Sequence, residues 1–170
     1  MLRKCVFASV TVLALSATGL VGIDSAQAAV APAPATIAQS VFAALNASRI
    51  KAKLPPLRWN AGLQRSSHAH NVTMSARNTL GHQLPGEAPF GSRITAQGVR
   101  WTYAAENIGW ASQVNTTGAL QIESVMLAEK APNDGHRRNI LSNQVNSIGI
   151  DIVLDTKHHR LWLTEDFAKI

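Results

Sequence analysis

The last third of the chain places the tightest limit on its fold. "SIGIDIVL" (residues 147–154) and "RLWLTEDF" (160–167) are rich in β-branched, aliphatic and aromatic residues, and the polar link "DTKHH" joins them. Two such runs across a short link form a hairpin, so at least two neighbouring strands are antiparallel. A hairpin is stable only when more strands or helices cover it, and the residues upstream supply both. "YAAENIGWA" (103–111) reads as a third strand. Ile37, Val41, Ala44, Leu45 and Ser48 recur at helical spacing, which predicts a first helix to about Lys53. Thr36 and Gln39 have the spacing of a capping box at its start, and Pro55-Pro56 ends it. Asn60 caps a second predicted helix to about Asn78, with Leu63, His70 and Met74 on one stripe. A short helical piece is predicted near "FGSRITAQ" within polar, glycine-bearing residues 79–102. Another helix is predicted from about Thr117 to Lys130, where "APNDG" breaks it. Early helices and a terminal hairpin give an α+β class, with helices covering an antiparallel sheet.

The first residues bear on compartment. "MLRK" is basic, "VFASVTVLALSATGL" is apolar and "SAQA" ends in small residues two apart. That is the layout of a secretory signal peptide over residues 1–28, with cleavage predicted after Ala28. "AVAPAPA" (29–35) then reads as an Ala/Pro tether, followed by a single domain over 36–170. The one cysteine, Cys5, leaves with the leader, so the processed chain must hold together without a disulfide. Loss of Arg3, Lys4 and Asp24 lowers the net charge from +6 to +5. The positive charge is scattered, with Arg137-Arg138 the longest run, which favours anionic partners such as envelope polymers without specifying one. No nucleic-acid-binding motif is present, and no later apolar run is long enough to span a membrane. The expected location is secreted or periplasmic.

Alternation along the third strand puts Glu106 on the face of Ile108 and Trp110, where a carboxylate is costly unless it is paired, hydrogen-bonded or wet. "NTLGH" ending at His82 and "AEKAPNDGHRRNIL" with Glu129 and His136 add two more polar, glycine-marked places. Two histidines and two carboxylates that converge would suit a divalent metal or acid–base chemistry, and apart they are solvated loop residues. Both histidines follow glycine in what reads as polar loop, where truncation leaves no core cavity. Glu123 competes with Glu129 on the same predicted helix, and periodicity does not choose between them.

The remaining polar and aromatic residues have plainer readings. His70 reads as a core histidine with a hydrogen-bond partner, and His68 points the other way. His158-His159 fall in the hairpin turn and read as solvated. Trp59, Trp101, Trp110 and Trp162 read as core and cleft wall, and Glu165 and Asp166 as partners for Arg137 or Arg138.

Five segments together resemble the CAP superfamily of cysteine-rich secretory proteins, antigen five and plant pathogenesis-related proteins, above all its bacterial SCP-like members. They are "LNASRIKAKLPPLRWNAGL", "HAHNVTMSARNTLGH", "AENIGWA", "GHRRNIL" and "LWLTEDFA", in family order across most of residues 38–168. The resemblance implies a three-layer α-β-α sandwich with a central antiparallel sheet. Its cleft would gather His82, Glu106, Glu129 and His136, and the family's second glutamate falls on Glu129 rather than Glu123. Ala105 stands where the family usually has glycine. The disulfides of many eukaryotic members are missing, so those members' particular activities do not transfer.

Three functional readings follow. In the first, His82 and His136 hold zinc or another divalent ion, with Glu106 or Glu129 contacting its waters, to serve structure or an unidentified small ligand. In the second, the same cleft is hydrolytic and one of these glutamates accepts a proton from metal-bound water. No Gly-x-Ser-x-Gly elbow offers another nucleophile. In the third, the cleft residues are a buried hydrogen-bonded network and the protein binds lipid or anionic polymer without metal.

Overall fold

The computed structural model describes residues 4–12 and 32–170, so the predicted cleavage site at Ala28 and most of the tether lie outside the described residues. In chain order the elements are β1 (Lys4–Val12), α1 (Pro34–Lys51), β2 (Arg58–Trp59), α2 (Ala61–Arg77) and α3 (Phe90–Ala96). Then come β3 (Tyr103–Ala111), α4 (Thr116–Ala128), α5 (Gly135–Ile140), β4 (Ser147–Asp155) and β5 (Arg160–Lys169).

The strands form one five-stranded sheet in the order β1-β3-β5-β4-β2. Its centre is antiparallel, with Glu106 opposite Asp166 and Asn107 opposite Glu165 between β3 and β5. The predicted hairpin is β4–β5, in which Asp155 pairs with Arg160. Both outer strands run parallel to their neighbours: β1 to β3 and β2 to β4. Thus the first part of the segment read as an export leader lies along the outer edge of β3.

Helices cover both faces. Ile37, Val41 and Leu45 of α1 and Ile122 and Met126 of α4 pack with Ile140 against Ile148, Ile150, Ile152, Leu163 and Phe167. The period of two in the three isoleucines is what turns them all to this face. On the opposite face α2 brings Leu63 against Ala104 and Ala168, and Met74 against Ile108 and Trp162. Burying aliphatic side chains of this size contributes about 1.5–3 kcal/mol each. α2 approaches the sheet closely at Gly149, where a Cβ would stand 2.0 Å from the Gln64 nitrogen. The architecture is the α+β three-layer sandwich, with its antiparallel sheet extended by parallel edge strands.

Three local expectations are corrected. No Thr36 capping box forms: α1 begins at Pro34 with Ala33 as an uncapped N-cap, because proline suits the first helical turn. Glu129 is not in the last turn of α4; it is the extended residue that ends the helix. His136 is not in an open loop, for it lies in the short helix α5 and is 3% exposed. Asn60 does cap α2, accepting from the Leu63 N–H at 2.9 Å, and Asn78 closes that helix in the left-handed conformation.

Candidate functional site at the outer edge of β3

β3 is buried along most of its length, so its polar side chains need partners on both faces. On the α2–α3 face Glu106 is fully buried. One of its oxygens lies 2.8 Å from His82 Nδ1, and the other accepts from Arg93 Nη2 of α3 at 2.7 Å. Arg93 also donates to the His82 carbonyl at 3.3 Å, which fixes the loop carrying the histidine. Beyond Arg93, Glu87 meets Nδ1 of the fully buried His70 at 3.0 Å, the core partner expected for that histidine.

On the α4–α5 face Glu129 has two tasks. One oxygen meets His136 Nδ1 at 2.5 Å, and the other accepts the backbone N–H groups of His136 at 3.0 Å and Arg137 at 3.4 Å. The same carboxylate therefore satisfies orphan donors at the start of α5 and orients its imidazole. Glu123, the competing residue, is buried instead beside Glu165, whose charge raises its proton affinity further. Asn107 joins the two regions, donating to Glu165 at 3.0 Å and to the His136 carbonyl at 3.5 Å. Asn139 in turn donates to Asn107 at 2.8 Å.

The two imidazoles thus reach the outer edge of β3 from opposite faces of the sheet, with β1 running between them. Ser9 Oγ lies 2.9 Å from His82 Nε2. The Ala8 main chain faces both rings and favours protonation of each, as only its carbonyl can. His136 Nε2 is buried with no well-aligned hydrogen-bond partner among the described residues.

Burial keeps both rings neutral. It is the largest influence on His82, with the Arg93 charge adding to it, and lowers that ring to about 4. His136 is lowered by burial against the opposing pull of Glu129. The carboxyls move the other way. Burial lifts Glu106 to about 8 despite Arg93, and lifts its ladder partner Asp166 well above the usual range, with the Glu106 charge adding to the effect. On the other face burial lifts Glu165 to about 7.

His82, Glu106, Glu129 and His136 therefore gather as two carboxylate–imidazole pairs on either side of one strand edge. Glu165 and Asp166 do not reach Arg137 or Arg138. Both acids are fully buried under helices, while Arg137 donates to the Leu127 carbonyl and Arg138 pairs with Asp134. His158 is held by Asp155 at 2.7 Å, so it is not simply solvated. Trp162 is fully buried and Trp110 half-buried, with the Arg160 guanidinium over both rings. Arg93, Asn107 and Asn139 went unrecognised in the sequence. Asn107 and Asn139 stand inside "AENIGWA" and "GHRRNIL", in the same motifs as Glu106 and His136. Arg93 carried no local signal beyond lying in a short helix.

A metal can be tested against this donor set. Each Nδ1 is taken up by a glutamate, so Nε2 is the nitrogen an ion would meet, with the glutamates as its outer support. His82 and His136 are the nitrogen ligands this site would offer a divalent ion, one from each side of β1, and two nitrogens are fewer than a closed zinc site uses. No group of three or more histidine, cysteine or carboxylate residues placed to hold an ion occurs among the described residues.

The family model for cysteine-rich secretory proteins (CAP) matches residues 42–167. Comparison with curated proteins gives no match. Among solved structures, an extracellular SCP-domain protein from Bacillus anthracis aligns with a TM-score of 0.66 and 23% identity, covering 81% of this chain and 41% of that one. An outer surface protein from Borrelia burgdorferi aligns with a TM-score of 0.66 and 15% identity, covering 79% of this chain and 92% of that one. A cysteine-rich secretory protein from Staphylococcus aureus aligns with a TM-score of 0.60 and 19% identity, covering 81% and 39%. This chain spans about two fifths of the Bacillus and Staphylococcus proteins, and at these identities the likeness is one of fold. With the family model matching most of the chain, over the segments that build the sheet and its helices, the chain belongs to the cysteine-rich secretory protein (CAP) family.

Proposed function

We propose that the chain is exported, loses its leader after Ala28, and presents His82 and His136 to a divalent ion such as zinc beside an extracytoplasmic ligand site. Two neighbours described as extracellular and outer surface proteins support the export reading. Among the described residues no helix is long and apolar enough to cross a membrane. The observation that carries the metal reading is the commitment of both Nδ1 atoms to Glu106 and Glu129. A carboxylate that accepts from Nδ1–H leaves the lone pair on Nε2, and burial holds both rings neutral at pH 7.

When bound, the ion would supply Lewis acidity to a ligand oxygen. The protein's own part is to orient the rings and exclude water from one side of each. The glutamates act here as positioning residues, and this weakens the support for a hydrolytic reading in which one of them is the free base.

Zinc titrated calorimetrically into the processed chain should bind at one site. His82→Ala and His136→Ala should each weaken it at least about tenfold with unchanged circular dichroism, and Glu129→Gln by about ten- to hundredfold. Equal affinity in wild type and both histidine variants rejects the site.

The lipid reading has separate support in a groove of about 700 Å³ between α1 and β4, lined by Ala38, Trp59, Ile150, Ile152 and Leu154 and by none of the four cleft residues. Co-purified lipid without metal would favour it.

A further inference from the structure

We propose that the outer edge of β3 is a binding site for an extended peptide, held parallel to β3 between His82 and His136. Its centre would carry a small residue, a hydroxyl residue and a β-branched residue in succession. The proposal rests on the removal of the leader put forward above.

The chain itself demonstrates the binding mode. β1 fills this edge over nine residues, from Lys4 beside Tyr103 to Val12 beside Ala111. Ala8, Ser9 and Val10 lie beside Asn107, Ile108 and Gly109, at the level of the histidines. Ser9 turns to the α2–α3 face and meets His82 Nε2 at 2.9 Å. Val10 turns to the other face and packs on the cluster containing Ile122. The strand approaches closely there, for a Cβ on Gly109 would lie 3.1 Å from the Val10 carbonyl oxygen. The two imidazoles form a clamp that main chain passes through, and a hydroxyl is read on one side of it.

Cleavage after Ala28 would remove β1 and leave the β3 edge with unpaired N–H and C=O groups. Such an edge is a ready template for strand addition. The hydrophobic core draws little on β1. The hydrophobic clusters are built from Ile37 onward, with Val10 the only described β1 side chain packed on them, and the family match begins at residue 42. An independent peptide is favoured over a second copy of the chain. Two copies meeting edge to edge about a two-fold axis would pair their β3 strands antiparallel, whereas this edge accepts a parallel strand.

The test uses processed chain (residues 29–170) and a fluorescent peptide of residues 4–12 carrying C5S, read by anisotropy in metal-free buffer. Saturable 1:1 binding is expected. S9A in the peptide should weaken it about fivefold, the loss of one hydrogen bond. N-methylation of alternate peptide residues should abolish binding for one of the two interleaved sets and spare the other, because every second residue of an edge strand bonds to its neighbour. These peptide variants leave the protein unaltered.

Binding absent at about 1 mM peptide, equal binding of a scrambled peptide, or dimerisation of the processed chain through this edge each overturns the proposal. Recovery from cells of protein still carrying residues 4–12 overturns the leader reading and this proposal together. Failure of zinc binding alone leaves the peptide measurement standing, because that measurement contains no metal.

Discussion

The residues that cost this protein most are its buried acids. Glu106, Glu123, Glu165 and Asp166 all lie beneath helices, and burial raises the proton affinity of each. A carboxyl raised in this way favours the folded state while protonated. Its contribution is complete below the unfolded value and is lost as pH rises through the folded one, about 7 for Glu165. His82, lowered to about 4, has the opposite sign: its contribution is present above the unfolded value of 6.5 and is lost as pH falls through about 4. Stability should therefore decline on both sides of a weakly acidic optimum. Glu123→Gln removes one titrating partner of the Glu165 pair while keeping its shape and adding a neutral donor. Between pH 5 and pH 8.5 its unfolding free energy should fall by at least about 1 kcal/mol less than that of wild type. Urea unfolding at the two pH values measures this, and parallel declines would show that Glu123 and Glu165 do not titrate as a pair. The inward turn of Glu106 was legible from alternation alone. The inward turn of both Glu165 and Asp166 was not, because adjacent strand residues face opposite sides and each side proved to be covered.

Among the elements, α5 depends most on others. Its six residues are too few for a helix that stands alone. Glu129 caps its start, and Arg49 of α1, 1% exposed, donates to the Ile140 and Ser142 carbonyls at 2.7 and 2.9 Å. Arg49→Met would remove these charge-assisted bonds and leave the carbonyls unsatisfied, so a loss of about 2–4 kcal/mol is expected. Thermal denaturation checks the magnitude. The variant should also weaken zinc binding, since His136 rides on α5. Unchanged zinc affinity in the folded variant would show that Arg49 stabilises the fold at large and not α5 in particular. Helices α1, α2 and α4 and all three central strands were readable from residue spacing, caps and breakers, and α3 only as a short helical piece. α5 was missed because it is too short to show a period, and its stability comes from Glu129 in the turn before it and from Arg49, which is remote from it in sequence.

For the whole molecule, the processed chain without Cys5 should give superimposable melting curves with and without a thiol reductant. Its intact mass should correspond to a start at Ala29. A reductant-dependent shift, or a mass that still includes Met1, would show that the leader is retained and that β1 is a permanent strand. By itself the sequence determined the α+β class, the terminal hairpin, the apolar faces of the helices and the inward placement of Glu106. These follow from local periodicity and capping, which act over a few residues. Only the tertiary structure decided which strands border which, that β1 lies parallel along β3, that each glutamate serves one histidine, and that Arg93 reaches Glu106 from another helix. Those contacts join segments far apart in the chain, and they are set by how two layers of helices close over one sheet. Periodicity identifies the face of an element, but packing decides what covers that face.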